Sequence, residues 1–271
     1  MIDDLIYDVG MNNGDDTAYY LHKGFRVLAI EANPILTEAA QARFHTEIAQ
    51  GRLTILAVGI AEQEGEATFW INDEVSEFSS FLQSSGCREN TVAHPVTVPC
   101  VTFTSVLATY GVPYYLKIDI EGFDMLCIDA LSPNHLPGFV SLEGASMENL
   151  LALQRLGYNA FKCIDQRTHN NPREYRYTAL SSRLHRLVFR LKSAVRKNTY
   201  LRTHLHFLRK QRLSLETVNA RSDGKWVFPW GSSGPFGDET PGEWKNFNVM
   251  AYELLHLSQG HPELSTIDPD S

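Results

Sequence analysis

Over the first 165 residues, short apolar runs alternate with stretches whose apolar positions recur at helical spacing, the pattern of repeated parallel βαβ units. Strands are predicted at 4–9, 26–31, 53–59, 114–119, 138–143 and 158–164, and helices at 14–23, 34–49, 103–110, 122–130 and 146–156. Pro34 after Asn33 suits the first turn of a helix, where its missing N–H is no loss. Between residues 65 and 101 the pattern changes, and 67–71 and 96–103 predict accessory strands around a Ser-rich loop. Residues 249–257 predict a short closing helix. The expected fold class is α/β, a mostly parallel sheet with helices on both faces. A core over 1–165 precedes an insertion over 166–245 that completes the fold and covers the site, then a closing helix and tail over 246–271.

Composition narrows the class. With 271 residues, 43% of them apolar, the chain can bury a large core. No apolar run approaches the ~20 residues of a membrane span. Asp3 and Asp4 stand where the basic region of a leader would be, so a cytoplasmic protein is expected. Cys87, Cys100, Cys127 and Cys163 are scattered without paired metal spacing and read as reduced thiols. The net charge of −8 argues against a nucleic-acid binder. That charge is uneven: 183–212 holds ten Lys/Arg and no acid, leaving −18 on the rest.

The first strand ends in Asp8-Val-Gly-Met-Asn-Asn-Gly-Asp-Asp-Thr17, and the second ends in Glu31-Ala-Asn-Pro34. A strand, a glycine turn, a helix and an acid about twenty residues on form the layout of a nucleoside cradle, with the acid on the ribose hydroxyls. A dinucleotide site wants glycine in the middle place, where the backbone approaches a diphosphate. Asn12 stands there instead, which suits a ligand with an amino-acid tail such as S-adenosylmethionine. Two further strands finish in acid-glycine corners, at Asp119-Ile-Glu-Gly122 and Glu143-Gly144. Carboxyl ends of parallel strands face the ligand crevice, so Asp8, Glu31, Asp119, Glu121 and Glu143 are expected along one edge. An acid-lined cleft suits a sulfonium cation.

With Asp-Val-Gly-x-Asn-x-Gly-x-x-Thr at 8–17, Glu-x-Asn-Pro at 31–34 and Leu-Lys-Ile-Asp-Ile-Glu-Gly at 116–122, the chain resembles the FkbM family of S-adenosylmethionine-dependent methyltransferases. Ala57-Val-Gly59, Gly65, Phe69 and Leu156-Gly-Tyr158 extend the resemblance, which covers roughly residues 4–165. It implies the class I methyltransferase fold, Rossmann-like, and O-methylation of a hydroxyl. By position, Asp8, Gly10, Asn12, Asn13, Gly14 and Thr17 would form the methionine-side loop. Glu31 would hold the ribose, Ala32 and Asn33 would lie beside the adenine, and Gly59 would complete the cofactor set. Lys117, Asp119, Glu121 and Gly122 would stand next to the reacting methyl.

Methyl transfer to a hydroxyl needs collinear reacting atoms and a proton acceptor. Glu121 is the first candidate base, Asp119 an orienting carboxylate, and His169 a second base. Asp119, Glu121 and Asp124 could instead gather a hard divalent cation, but Asp124 falls within the next helix and no metal is expected. In 183–197 an apolar stripe runs through Leu184, Leu187, Val188, Leu191 and Val195 opposite a basic face. That segment is expected as a lid, or as a contact for an anionic membrane surface at the inner membrane or a phosphate-bearing acceptor. The tryptophans of 225–244 suit stacking on a sugar or anchoring of the loop. The acceptor is expected to be a small molecule or glycan, and either the insertion or a second copy of the chain closes the cleft. Two rivals remain: a nicotinamide-dependent oxidoreductase, and a membrane-associated adaptor without catalysis.

Overall fold

The computed structural model describes residues 1–88, 91–166, 226–228 and 232–260. The predicted basic helix over 183–197, the stripe that follows it and His169 lie outside the described residues. The central sheet has the order β3-β2-β1-β7-β8, with β1 Ile2–Val9, β2 Arg26–Ile30, β3 Leu53–Leu56, β7 Pro113–Ile118 and β8 Phe139–Leu142. All four pairings are parallel. Alternate residues serve opposite faces, as the two-residue period of a strand requires. Tyr7, Val9, Leu28, Ile30, Leu116 and Ile118 pack against α5 (Phe103–Tyr110), α6 (Asp124–Asp129) and α7 (Met147–Leu156). Ile6, Val27, Ala29 and Tyr115 pack on the other side against α1 (Asp15–His22) and α2 (Pro34–Arg43). Both faces are covered, so the strands are apolar almost throughout.

Local chemistry sets the helix starts. The Asn33 side chain accepts from the Ile35 N–H with Pro34 in the first turn, and Thr102 and Ser146 cap α5 and α7 in the same way. The helix expected over 34–49 is broken at Phe44, which ends α2 and precedes α3 (His45–Ala49). Phe44 is buried, and its ring lies against Gly14. The strand expected over 53–59 likewise divides into β3 and β4 (Gly59–Ile60).

The accessory strands form a second sheet of order β4-β6-β5, where β5 (Gly65–Asn72) runs antiparallel to β6 (Ala93–Val101). Between β5 and β6 an arm carries α4 (Gln83–Gly86). No strand forms over 158–164; Phe161 makes only an isolated bridge with Lys245. The closing helix, α8 (Phe247–Gly260), packs Met250 and Leu254 on Leu150 and Phe161. Residues 226–228 and 232–236 lie across the α1 face, where Phe236 stacks on Tyr115 at 4.3 Å and Trp226 and Phe228 meet Tyr19. Among the described residues, no helix is long and apolar enough to cross a membrane.

Candidate active site

The order of the sheet reverses at β1, whose neighbours are β2 on one side and β7 on the other. At such a switch point the carboxyl ends of the strands leave a crevice, and here lies a cavity of about 320 Å³. That is within the ~300–1,000 Å³ of small-molecule sites.

Its floor is the turn after β1. Gly10 has φ +81°, and a Cβ there would collide with the Asp119 carbonyl oxygen, so the close approach of the two strand ends requires glycine. Asn12 also takes the left-handed conformation, with φ +50°. The Gly10 and Met11 N–H groups donate to the Ile30 carbonyl at 2.9 and 3.1 Å. The Asn12 N–H donates to Glu31 Oε2, and the Asn33 N–H to Oε1, both at 2.8 Å. These turn N–H groups are therefore committed to the protein rather than offered to a diphosphate. That disfavours a dinucleotide. Each Glu31 oxygen keeps a further lone pair for a ligand hydroxyl. Burial raises the Glu31 carboxyl, and the two N–H bonds oppose that rise.

Asp8 and Thr17 lie beneath this floor. Thr17 Oγ1 donates to Asp8 Oδ2 at 2.6 Å, and Lys117 Nζ sits 3.1 Å from Oδ1. Lys117 also donates to the Gly10 carbonyl at 2.6 Å and lies 3.8 Å from Asp119. Burial works against the lysine charge, but Asp8, Asp119 and Asp16 outweigh it and hold Lys117 above its ordinary range. Asp8, Gly14, Thr17 and Asn33 do not line the cavity, whereas Gly10, Asn12, Asn13, Glu31, Ala32, Gly59, Asp119 and Glu121 do.

One wall comes from the second sheet and the arm. Val58, Ile60, Phe69 and Phe81 join Ala32 and Leu36 in an apolar slot fit for a planar base. Phe81 stacks edgewise on Phe69 at 5.0 Å and on Phe123 at 5.6 Å. Ser76 Oγ donates to Asn12 Oδ1 at 3.2 Å, tying the arm to the turn. Arg88 forks both oxygens of Glu121 at 2.9 and 2.7 Å while its guanidinium lies 4.0 Å over the Phe78 ring. Neither Ser76 nor Arg88 follows from the sequence pattern, since each reaches its partner from an arm distant in the chain.

The reacting edge is acidic. Seven carboxyl groups among the lining residues face two cations, Lys117 and Arg88, both already paired. Glu121 has φ +49°. Burial raises its carboxyl, Arg88 opposes the rise, and Asp119 and Asp124 add to it. Each Glu121 oxygen keeps a further lone pair, but the Arg88 charge favours the ionised carboxylate and so works against its taking up a proton. The Glu143 carboxyl is pushed up to about 9 by desolvation and then by Asp119, Glu121 and Asp124. Among the described residues, no group of three His, Cys, Asp or Glu is arranged to hold a metal.

An apolar slot, a carboxylate able to take two hydroxyls and an acidic corner fit a nucleoside that carries a positive charge. The fold and site define a class I methyltransferase. The family model for the methyltransferase FkbM domain matches residues 8–158, more than half of the chain, and the chain belongs to that family, whose cofactor is S-adenosylmethionine. Two solved structures are similar at 16% identity. The methyltransferase FkbM from Methylobacillus flagellatus KT matches over 47% of this chain and 28% of that one, with a TM-score of 0.32. Precorrin-6y C5,15-methyltransferase from Geobacter metallireducens GS-15 matches over 60% and 67%, with a TM-score of 0.33. The chain thus spans less than a third of the first structure's length. No curated protein matches it.

Proposed function

We propose that the chain transfers a methyl group to a hydroxyl of a sugar, a glycan precursor or a related natural product. The observation that carries this reading is the convergence of Asp119, Glu121 and Glu143 on the cavity that Glu31 and the apolar slot also line. When bound, S-adenosylmethionine supplies an electrophilic methyl group. Asn12, Glu31 and the slot residues orient the nucleoside end. Asp119 is better suited than Glu121 to receive the hydroxyl proton, because the bidentate Arg88 favours the ionised form of Glu121. The Arg88–Glu121 pair then fixes the acceptor side of the corner, and His169 stands as a second base.

Transfer of label from tritiated S-adenosylmethionine to neutral sugars, glycans, sugar phosphates and amines tests the reading. The expected product is an O-methyl ether, with roughly 10²–10⁴-fold less turnover in Asp119→Asn, the usual worth of a positioned base. Methylation of nitrogen or carbon, or full activity in that variant, would refute it.

A further inference from the structure

The parallel strands β7 and β8 stand in register, with Ile118 opposite Leu142, and each is followed at once by an acid. Strands in such a pair lie ~4.8 Å apart, so Asp119 and Glu143 leave the sheet side by side. Both line the cavity, and after burial Asp119 is the foremost group that pushes the Glu143 carboxyl up. Two carboxyl groups side by side can hydrogen-bond only with a proton between them, since an ionised carboxylate is an acceptor alone. A neighbouring carboxylate also disfavours the second ionisation, so one proton is retained where both would otherwise be charged.

The surroundings sharpen this. On β7, Lys117 donates to the Gly10 carbonyl, lies 3.1 Å from Asp8 and reaches Asp119 only at 3.8 Å. Beyond it, Glu121 is held by Arg88 of the arm. Asp124, at the start of α6, accepts from the Ile120 N–H and adds a further negative charge. From α7, Asn149 reaches the Glu143 carbonyl oxygen at 3.5 Å and brings no charge. Each cation nearby has a closer carboxylate, so the Asp119–Glu143 pair has only the longer Lys117 contact of Asp119, at 3.8 Å, set against its charge. A proton is the smallest cation that can settle there; a positively charged ligand in the same cavity competes with it.

We propose that Asp119 and Glu143 act as one proton-sharing pair, which gives up its proton when a cationic cofactor enters the cavity and takes one back from the acceptor hydroxyl. The inference rests on the methyltransferase reading above and names its proton acceptor. The charges balance. The acceptor oxygen forms its bond to the methyl carbon and yields its proton to the pair, whose charge falls from two negative to one. The carbon–sulfur bond breaks with its electron pair on sulfur, which cancels one positive charge. Loss of that positive charge is what restores the affinity of the pair for a proton, so deprotonation and transfer are coupled through the field of the site. Glu143 is then a catalytic residue in its own right.

Calorimetric titration at pH 7.5, in buffers of different ionisation enthalpy, counts the protons released on binding. The ligands are S-adenosylmethionine and S-adenosylhomocysteine, which differ in the sulfonium charge, and the proteins are the full chain and its Glu143→Gln variant. The wild type should release a substantial fraction of a proton more with the sulfonium ligand than the variant does, while the two proteins release equal amounts with the neutral one. Asp119→Asn should abolish the same excess and covers the case in which Glu143→Gln fails to fold. An excess unchanged in both variants, or none in the wild type, would overturn the proposal. Failure of both ligands to bind would instead bring down the cofactor reading, and the pair's role with it.

Discussion

Gly10 shows how a single residue carries the site: it sits at φ +81° with no room for a Cβ beneath the Asp119 carbonyl. Gly10→Ala should cost on the order of 1–3 kcal/mol by forcing the strand ends apart, measured by urea denaturation, and should abolish cofactor binding. This glycine and Glu31 were legible in the sequence because turn chemistry and strand ends are local. The partner of Glu121 was not. Arg88 arrives from the arm, and no periodicity relates it to an acid 33 residues on. Asp16 was also missed, as it reads like any acid in a first helical turn. Its two oxygens accept the Ser233 N–H at 3.0 Å, and its pKa is pushed up to about 6, by burial first and by Asp8, against the pull of Lys117 and Ser233. A carboxyl raised by folding binds its proton more tightly in the folded state, so its contribution is complete below the ordinary carboxylate range and is lost as pH rises to about 6. Asp16→Asn should therefore gain stability relative to the wild type between pH 4 and 7, by thermal denaturation across that range. A constant difference would contradict the assignment.

At the scale of elements, the parallel core strands were plain because burial on both faces makes them nearly continuous apolar runs. The exceptions have physical causes. Phe44 interrupts the helix expected over 34–49 because its ring is buried against Gly14 at the floor of the site. The segment 158–164 has the composition of a strand but makes a single backbone bridge, from Phe161 to Lys245, rather than a ladder. The arm between β5 and β6 lines the site and is tied to it by two polar contacts, Ser76 on Asn12 and Arg88 on Glu121. Arg88→Ala removes a half-exposed ion pair worth less than about 1 kcal/mol to stability, so the melting temperature should barely move. The arm's hold on the reacting edge should nonetheless loosen, raising the cofactor dissociation rate in stopped-flow fluorescence. A large loss of stability with an unchanged dissociation rate would make Arg88 a purely structural residue.

For the molecule as a whole, the described residues beyond 225 belong to the fold that carries the site. Phe236 is buried among Tyr20, Phe25 and Tyr115, and Phe236→Ala should cost about 3–5 kcal/mol in a denaturation midpoint. Charge is also distributed at this scale, with the basic 183–212 segment set against an acidic remainder. That segment was legible as a pattern, and its proposed role as lid or anionic contact rests on the pattern alone. The central claim is the identity of the ligand, fixed by turn N–H groups that are spent on β2 and by Glu31 between them. Equilibrium titration of S-adenosylhomocysteine and of NAD against the wild type and Glu31→Ala tests it most directly. The account predicts that S-adenosylhomocysteine binds, that NAD does not, and that the variant loses at least 10-fold in affinity, consistent with the ~1.5–3 kcal/mol of hydrogen bonds to a charged group. Tight binding of NAD, or undiminished binding of S-adenosylhomocysteine to Glu31→Ala, would contradict it.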